Sequence, residues 1–567
     1  WLEEYTGIAY PFAKYDFIVL PGFQFGGMEH TGATLYNDNG IFLSEHPTPD
    51  EELNRAELIA HETSHMWFGD LVTMDWFDDV WTKEVFANYF AARIVEPLFP
   101  EINHTQNKLK TFTAASLSED RTMGTNAIRQ PLDNLRNAGL IYGQIIYNKA
   151  PVMMEKLVDK MGEANFRSGI QEYLKTYSYG NATWDDLIRI LDSKTAEDLA
   201  AFSDVWVNRK GMPTLTFRTD GQELEIRQHD PYNRGERDSV IRVNMTDTLF
   251  RMQLPFVPSR VLPNTDGRGY GVFVPDEPAL HWLAAHWWEI EDDTARQSLL
   301  MVLYENYLAK HISADDWVNS LITGLPAEKN ALVASTASGY LANVMWEIAP
   351  ANRAEVEARI YTMTQNHPLP SCRIQLMRLF MQNAISEPMV KKLYILWQQQ
   401  SDKHLNRQDY TTLAYELAIR MPLESEQILR TQRARIDDPD RLRQFDFISR
   451  AAVSDTARLD TLFNSLLAAE NRRIEPWTTA VIRYLNHPLR EDQSVKYIRP
   501  GLEVLEEVQR TGDIFFPKNW AAALLGNHLS SSAYEEVVRF LNERPDYSPL
   551  LKNKILQAAY PLYRANN

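Results

Sequence analysis

The spacing of apolar residues divides the chain into three stretches. In the first, apolar positions recur every three or four residues. Ala56 to Ala60 lead into Met66, Trp67 and Phe68, with Gly69-Asp70 as a stop, which predicts a helix through this segment. Val80, Trp81, Val85, Phe86 and Tyr89 mark a second helix, and residues 141–156 a third. Residues 151–210 read as helical around a break at Tyr179-Gly180-Asn181, and Thr183-Trp184-Asp185-Asp186 reads as a capped helix start. From Pro213 the period drops to two. Leu215 and Phe217 alternate with polar residues, as do Leu224 and Ile226, with Asp220-Gly221 as the turn between them. Further strands are predicted at 240–245, 252–257 and 271–274. From Pro278 the helical period returns, for example over 295–308, 317–322, 390–397 and 410–419, without a strict repeat. The aromatic run from Trp282 to Trp288 is expected to be core or an inter-domain face rather than a ligand box. The chain thus reads as an α+β multidomain protein. A mostly helical front part spans 1–211, a small β-sandwich 212–277, and an α-helical, solenoid-like or superhelical domain 278–567.

The first predicted helix carries chemistry. Residues 61–65 read His-Glu-Thr-Ser-His. Positions i and i+4 share a helix face, so His61 and His65 can both turn a ring nitrogen to one metal ion, with Glu62 rotated beside it. Glu84 sits within the apolar stripe of the second helix, where a lone carboxylate is costly and a metal is a good partner. Two His and one carboxylate leave a coordination position for water, as at a catalytic zinc, and Glu62 can take that water's proton. In a chain with 13 His, such a motif arises by chance roughly once in fifty. The helical surroundings and Glu84 are what lift it above that level.

The stretch from His61 to Glu84, with eighteen residues between His65 and Glu84, resembles the M1 family of zinc aminopeptidases. Upstream, Gly26-Gly27-Met28-Glu29-His30 resembles that family's exopeptidase signature, preceded by a similar Tyr10-Pro11-Phe12-Ala13-Lys14-Tyr15-Asp16. Downstream, Tyr147-Asn148-Lys149-Ala150 resembles the segment around its catalytic tyrosine, and 165–183 is also similar. The resemblance covers residues 1–211 strongly and is only architectural beyond. It implies a thermolysin-like catalytic domain and one Zn²⁺ per chain, held by His61, His65 and Glu84. It implies Glu62 as general base, Tyr147 as oxyanion donor and Glu29 as the carboxylate that binds the substrate's free α-amine. Gly26, Gly27 and Met28 would line the substrate backbone, since glycine lets a strand edge approach closely. Tyr142 would be a second pocket tyrosine, and the pocket around Gln24 and Met28 would set the preferred first residue. The expected substrates are peptides with a free N-terminus.

Three positions depart from the family pattern. His30 stands where Asn is usual, Lys83 where Asn often precedes the ligand Glu, and Val85 where Gly usually follows it. Lys83 would put a cation near the metal unless it points away, which a rotation of about 100° from Glu84 makes feasible. The family's β-rich N-terminal domain is missing before Trp1, so the sequence reads as a fragment or as a chain whose front was removed.

Composition narrows the remaining choices. At 567 residues the chain is long enough for roughly three or four domains. A net charge of −18 without a basic stripe excludes nucleic acid as an expected partner. No run of about 18 apolar residues predicts a membrane span. The single Cys372 excludes an intrachain disulfide and leaves the compartment open, cytoplasmic and periplasmic or secreted alike. Oligomeric state has no sequence signal. Three other readings stand beside the aminopeptidase. An epoxide hydrolase-like activity of the same fold is disfavoured by the long helical part after Pro278. A weak or silent scaffold homologue is disfavoured by the intact set His61, Glu62, His65, Glu84 and Tyr147. An endopeptidase is disfavoured by Glu29.

Overall fold

The computed structural model describes every residue except 44–46, 48, 233–248 and 254–259, and of 249–253 the backbone only. The described residues are mostly helical with small sheets and form no barrel. They divide into two compact units, Trp1–Asp276 and Glu277–Asn567.

In the first unit, two packed helices form the frame. The Pro49–His65 helix lies against the Trp81–Val95 helix through Leu53, Ala60, Ala91 and Val95, all buried. Phe68, Phe86 and Phe90 extend this core with ring centroids 4.7 and 4.8 Å apart. Beside the helices is a three-stranded sheet of β1 (Asp16–Leu20), β2 (Gly27–Met28) and β3 (Ala33–Asn37), in the order β1-β3-β2. β2 runs antiparallel to β3 and is an outer strand. β4 (Val72–Met74) pairs in parallel with β5 (Gly180–Ala182). Thr183 then caps the Trp184–Asp192 helix with the predicted capping box.

Two predicted helices differ from those observed. The first ends at His65 rather than running through Phe68. Met66, Trp67 and Phe68 are all buried in the turn that follows the helix. The chain instead turns, and Gly69, at φ 135°, donates its N–H to Val72 O. The helix predicted over 141–156 is broken. Ala138–Ile141 stops at an extended Tyr142, a π-helical turn spans Ile145–Lys149, and an α-helix resumes at Ala150–Met161. Two causes are visible. The buried Glu119 carboxylate accepts the Gln144 N–H at 2.9 Å and abuts Gly143, where a Cβ would lie 2.7 Å from it. Pro151 has no N–H for the carbonyl four residues back, which is that of Tyr147.

The π-turn is anchored by Lys149. Its ammonium is fully buried, 2.7 Å from Asp120 Oδ2 and 2.8 Å from Gly211 O. Asp120 also accepts from Thr125 and Tyr270.

After residue 212, β6 (Thr214–Asp220), β7 (Glu223–His229), β8 (Leu249–Gln253) and β9 (Val272–Val274) form one sheet in the order β8-β7-β6-β9. The β6–β7 hairpin turns at Gly221, at φ 58°, as the Asp220-Gly221 signal indicates. Among the described residues this is a single sheet. The predicted strand at 240–245 lies outside them, as does most of that at 252–257.

The second unit is all helix, and helices pack mostly on neighbours one to three steps along the chain. Its interior carries ion pairs such as Arg296–Glu328 and Arg353–Glu357. Trp287 is buried, while Trp282 stacks on His286 at 4.4 Å. The last helix, Tyr560–Asn566, returns to the start of the unit: Arg564 pairs with Glu347 at 2.5 Å, donates to Leu308 O and Tyr307 O, and covers the Tyr307 ring.

Lys149→Met leaves Asp120 charged and buried without its cation. The expected loss is about 3–5 kcal/mol, read as a lower urea midpoint. An unchanged midpoint would mean that the pair does not anchor the turn.

Candidate metal centre

Four elements converge on one buried cluster. The Pro49–His65 helix brings His61, Glu62 and His65, the Trp81–Val95 helix brings Glu84, the end of β2 brings Glu29, and the π-turn brings Tyr147. His61 Nε2 and His65 Nε2 are 3.1 Å apart, and they lie 3.5 and 3.6 Å from Glu84 Oε2. For metal bonds of 2.0–2.1 Å, the edge of a tetrahedron is about 3.3 Å. The triangle therefore has the size of three ligands on one zinc-like ion.

Proton positions support that fit. His61 Nδ1 is 2.8 Å from Asn88 Oδ1, and His65 Nδ1 is 3.1 Å from the Phe68 carbonyl. Both oxygens only accept, so each Nδ1 carries the hydrogen. A neutral ring then turns its Nε2 lone pair inward. With both rings neutral, two lone pairs and a carboxylate oxygen face one another in a buried pocket, an arrangement that a metal cation between them would satisfy.

Glu62 is 4% exposed and lies against β2, where a Cβ on Gly27 would overlap its carboxylate. Gly27 is therefore required by the approach of Glu62, a contact that differs from the substrate contact expected for it. Burial pushes the Glu62 carboxyl up to about 8; His61 opposes the rise, and Glu29 and Glu84 add to it. Glu29, Glu62 and His65 also place one donor atom each within 4.8 Å of one another. Tyr142 and Tyr147 stack at 5.9 Å, and burial, with Glu84 among the nearby charges, holds the Tyr147 hydroxyl protonated far above its ordinary range. Gly26 sits next to Leu58, Met28 is half-buried in β2, and Gln24 and His30 are exposed. Val85 is wholly buried in the helix interface.

Lys83 corrects an expectation. Its ammonium points into the site, 2.5 Å from Glu29 Oε1 and 3.4 Å from Glu84 Oε1. The direction of a Cβ does not fix the end of a four-carbon stem. The two oxygens of Glu84 are thus divided, Oε2 toward the imidazoles and Oε1 toward the ammonium. Burial opposes both charges of the pair, yet attraction wins. Glu84 and Glu29 raise the Lys83 ammonium far above its ordinary value. Glu29 is held at about 2 by His65 and Lys83 against its burial. Asp70 is raised to about 6 by burial and by Glu29. Sequence reasoning missed Asn88 and Asp70. The available signal for Asn88 was its place four residues after Glu84, on the same helix face.

Three potential ligating groups in a tetrahedral footprint, with a further carboxylate alongside, make this a candidate metal centre. Residues 1–206 match the model of the peptidase family M1 domain. Similar curated proteins include the Aminopeptidase N of Streptomyces lividans, 34% identical over 41% of this chain and 28% of that protein. The Probable aminopeptidase 2 of Sulfurisphaera tokodaii is 29% identical over 43% and 32%. The human Endoplasmic reticulum aminopeptidase 2 is 31% identical over 40% and 26%. The chain spans about a third of the length of the curated relatives it matches.

Lys83→Met removes the cation nearest Glu29. In the metal-free protein, the Glu29 titration is expected to move up from about 2 toward the ordinary carboxylate range, because burial and Glu84 then face His65 alone. Carboxyl ¹³C NMR of Glu-labelled protein reads the shift. A titration still near 2 would show that the ammonium is not what holds it down.

Proposed function

We propose that this protein is a zinc-dependent aminopeptidase that removes single N-terminal residues from peptides. The observation that carries this reading is the His61, His65 and Glu84 triangle, with the Glu62 and Glu29 carboxylates beside it. The relatives named as aminopeptidases support the same reaction. One zinc ion per chain, held by these three residues, would supply Lewis acidity and a coordinated water ionising near neutrality.

The chain's own groups perform the remaining steps. Glu62 takes the proton of the attacking water and passes it to the leaving amine. Its burial suits it to the task, since a base that binds its proton too weakly cannot deliver it later. Tyr147, kept protonated, donates its hydroxyl hydrogen to the oxygen that gains charge at the scissile carbonyl. Glu29 pairs with the α-ammonium of the substrate and limits the cut to one residue. β2 is an outer strand, so a peptide can add to its open edge. No described helix is long and apolar enough to cross a membrane.

The Lys83–Glu29 contact favours a second reading, a catalytically weak homologue. A substrate ammonium must displace a tethered ammonium from the same carboxylate, which raises KM.

Aminoacyl fluorogenic amides with free and acetylated termini test both readings, with and without a zinc chelator. Chelator-sensitive cleavage of free substrates alone is expected. Cleavage of acetylated ones would remove Glu29 from its role. Glu62→Gln is expected to lower kcat by about 10²–10⁴-fold and Tyr147→Phe by about 10²-fold. Under the second reading Lys83→Asn lowers KM for free substrates, and an unchanged KM would discard it.

A further inference from the structure

Asn88 touches two parts of the centre at once. Its amide nitrogen is 2.7 Å from the carbonyl oxygen of Tyr147, and its Oδ1 is 2.8 Å from His61 Nδ1. The orientation of the amide is not arbitrary. A carbonyl only accepts, so the NH₂ must face Tyr147 and the oxygen must face His61. His61 then has one tautomer that satisfies the contact, with hydrogen on Nδ1 and the lone pair on Nε2.

The sequence builds this bridge from both sides. Asn88 lies one helical turn after Glu84, so one helix face carries a metal ligand and the group that orients another. On the other side, Pro151 offers no N–H to the Tyr147 carbonyl, and that carbonyl accepts from Asn88. The backbone there is the π-turn that Lys149 pins to Asp120 and Gly211. The second imidazole, His65, is oriented by a backbone carbonyl, a contact that no side-chain change removes directly.

We propose that Asn88 is a positioning residue that couples the two halves of the site, fixing the His61 tautomer through its oxygen and the placement of Tyr147 through its nitrogen. The proposal rests on the aminopeptidase reading for its kinetic part only. It implies that ligand geometry and oxyanion-donor geometry are set by one side chain and can be separated by changing one end of it.

Two substitutions make that separation. Asn88→Asp keeps an acceptor for His61 but turns a second oxygen toward the Tyr147 carbonyl. Asn88→Ala removes both contacts. Zinc affinity by chelator competition, the ¹⁹F resonance of 3-fluorotyrosine at position 147, and kcat and KM on a free aminoacyl amide are measured for each, with thermal melting as a folding control. Asn88→Asp is expected to hold zinc within about threefold of the parent, to shift the ¹⁹F resonance, and to lose tenfold or more in kcat at nearly constant KM. Asn88→Ala is expected to lose about 10–100-fold in zinc affinity as well. Parental zinc affinity in Asn88→Ala would overturn the tautomer half. A parental ¹⁹F resonance in Asn88→Asp would overturn the coupling half. If the parent protein cleaves no amide, the aminopeptidase reading fails while the zinc and ¹⁹F measurements still decide this proposal. Should Asn88→Ala fail to fold, Asn88→Ser, which removes the amide nitrogen and shortens the acceptor, takes its place.

Discussion

Three electron-pair donors meet in a pocket from which water is largely excluded, and that convergence constrains the surrounding structure. His61, His65 and Glu84 bring one donor atom each to within 3.1–3.6 Å of the others. Holding them there takes two helices locked by an apolar interface, a fixed hydrogen on each Nδ1, and β2 pressed close enough that Gly27 cannot carry a Cβ. Even the early end of the Pro49–His65 helix serves the geometry, because the turn that follows brings the Phe68 carbonyl back to His65.

The charge balance around the cluster is the second constraint. Glu29, Glu62, Asp70 and Glu84 lie around the site, and Lys83, with His65, opposes their charge. The carboxylates respond differently to the same neighbourhood. Those next to a cation stay charged, while Glu62, whose burial outweighs its neighbours, holds its proton more tightly. The divergence is what allows neighbouring carboxylates to do different work.

Much of this was legible from spacing alone. His61, Glu62 and His65 follow from helix geometry, and Glu84 from the cost of a carboxylate in an apolar stripe. Glu29 and Tyr147 needed the family resemblance, because the end of a two-residue strand and a half-buried tyrosine have no periodic signature. Lys83 was misjudged because periodicity gives the direction of a stem and not the reach of its end. Asn88 stood at a readable position, yet an amide becomes meaningful only when both of its partners are known. The π-turn had a sign in Pro151, which a pattern of apolar positions does not weigh. In the second unit the helices were visible as period 3.6, but the contact of Arg564 with Leu308 was not, since nothing local records a partner so distant.

That last contact has a kinetic side. A linear array of helix pairs can begin ordering wherever its sequence is strongest and spread from there. The contacts of Arg564 with Tyr307 and Leu308 cannot form until the last helix exists. Leu308 is separated from Arg564 by 256 positions, so on a ribosome its carbonyl waits on the order of tens of seconds for its partner. During that interval the early helices of the unit stand without this contact, and incompletely assembled units of this kind are what chaperones act on.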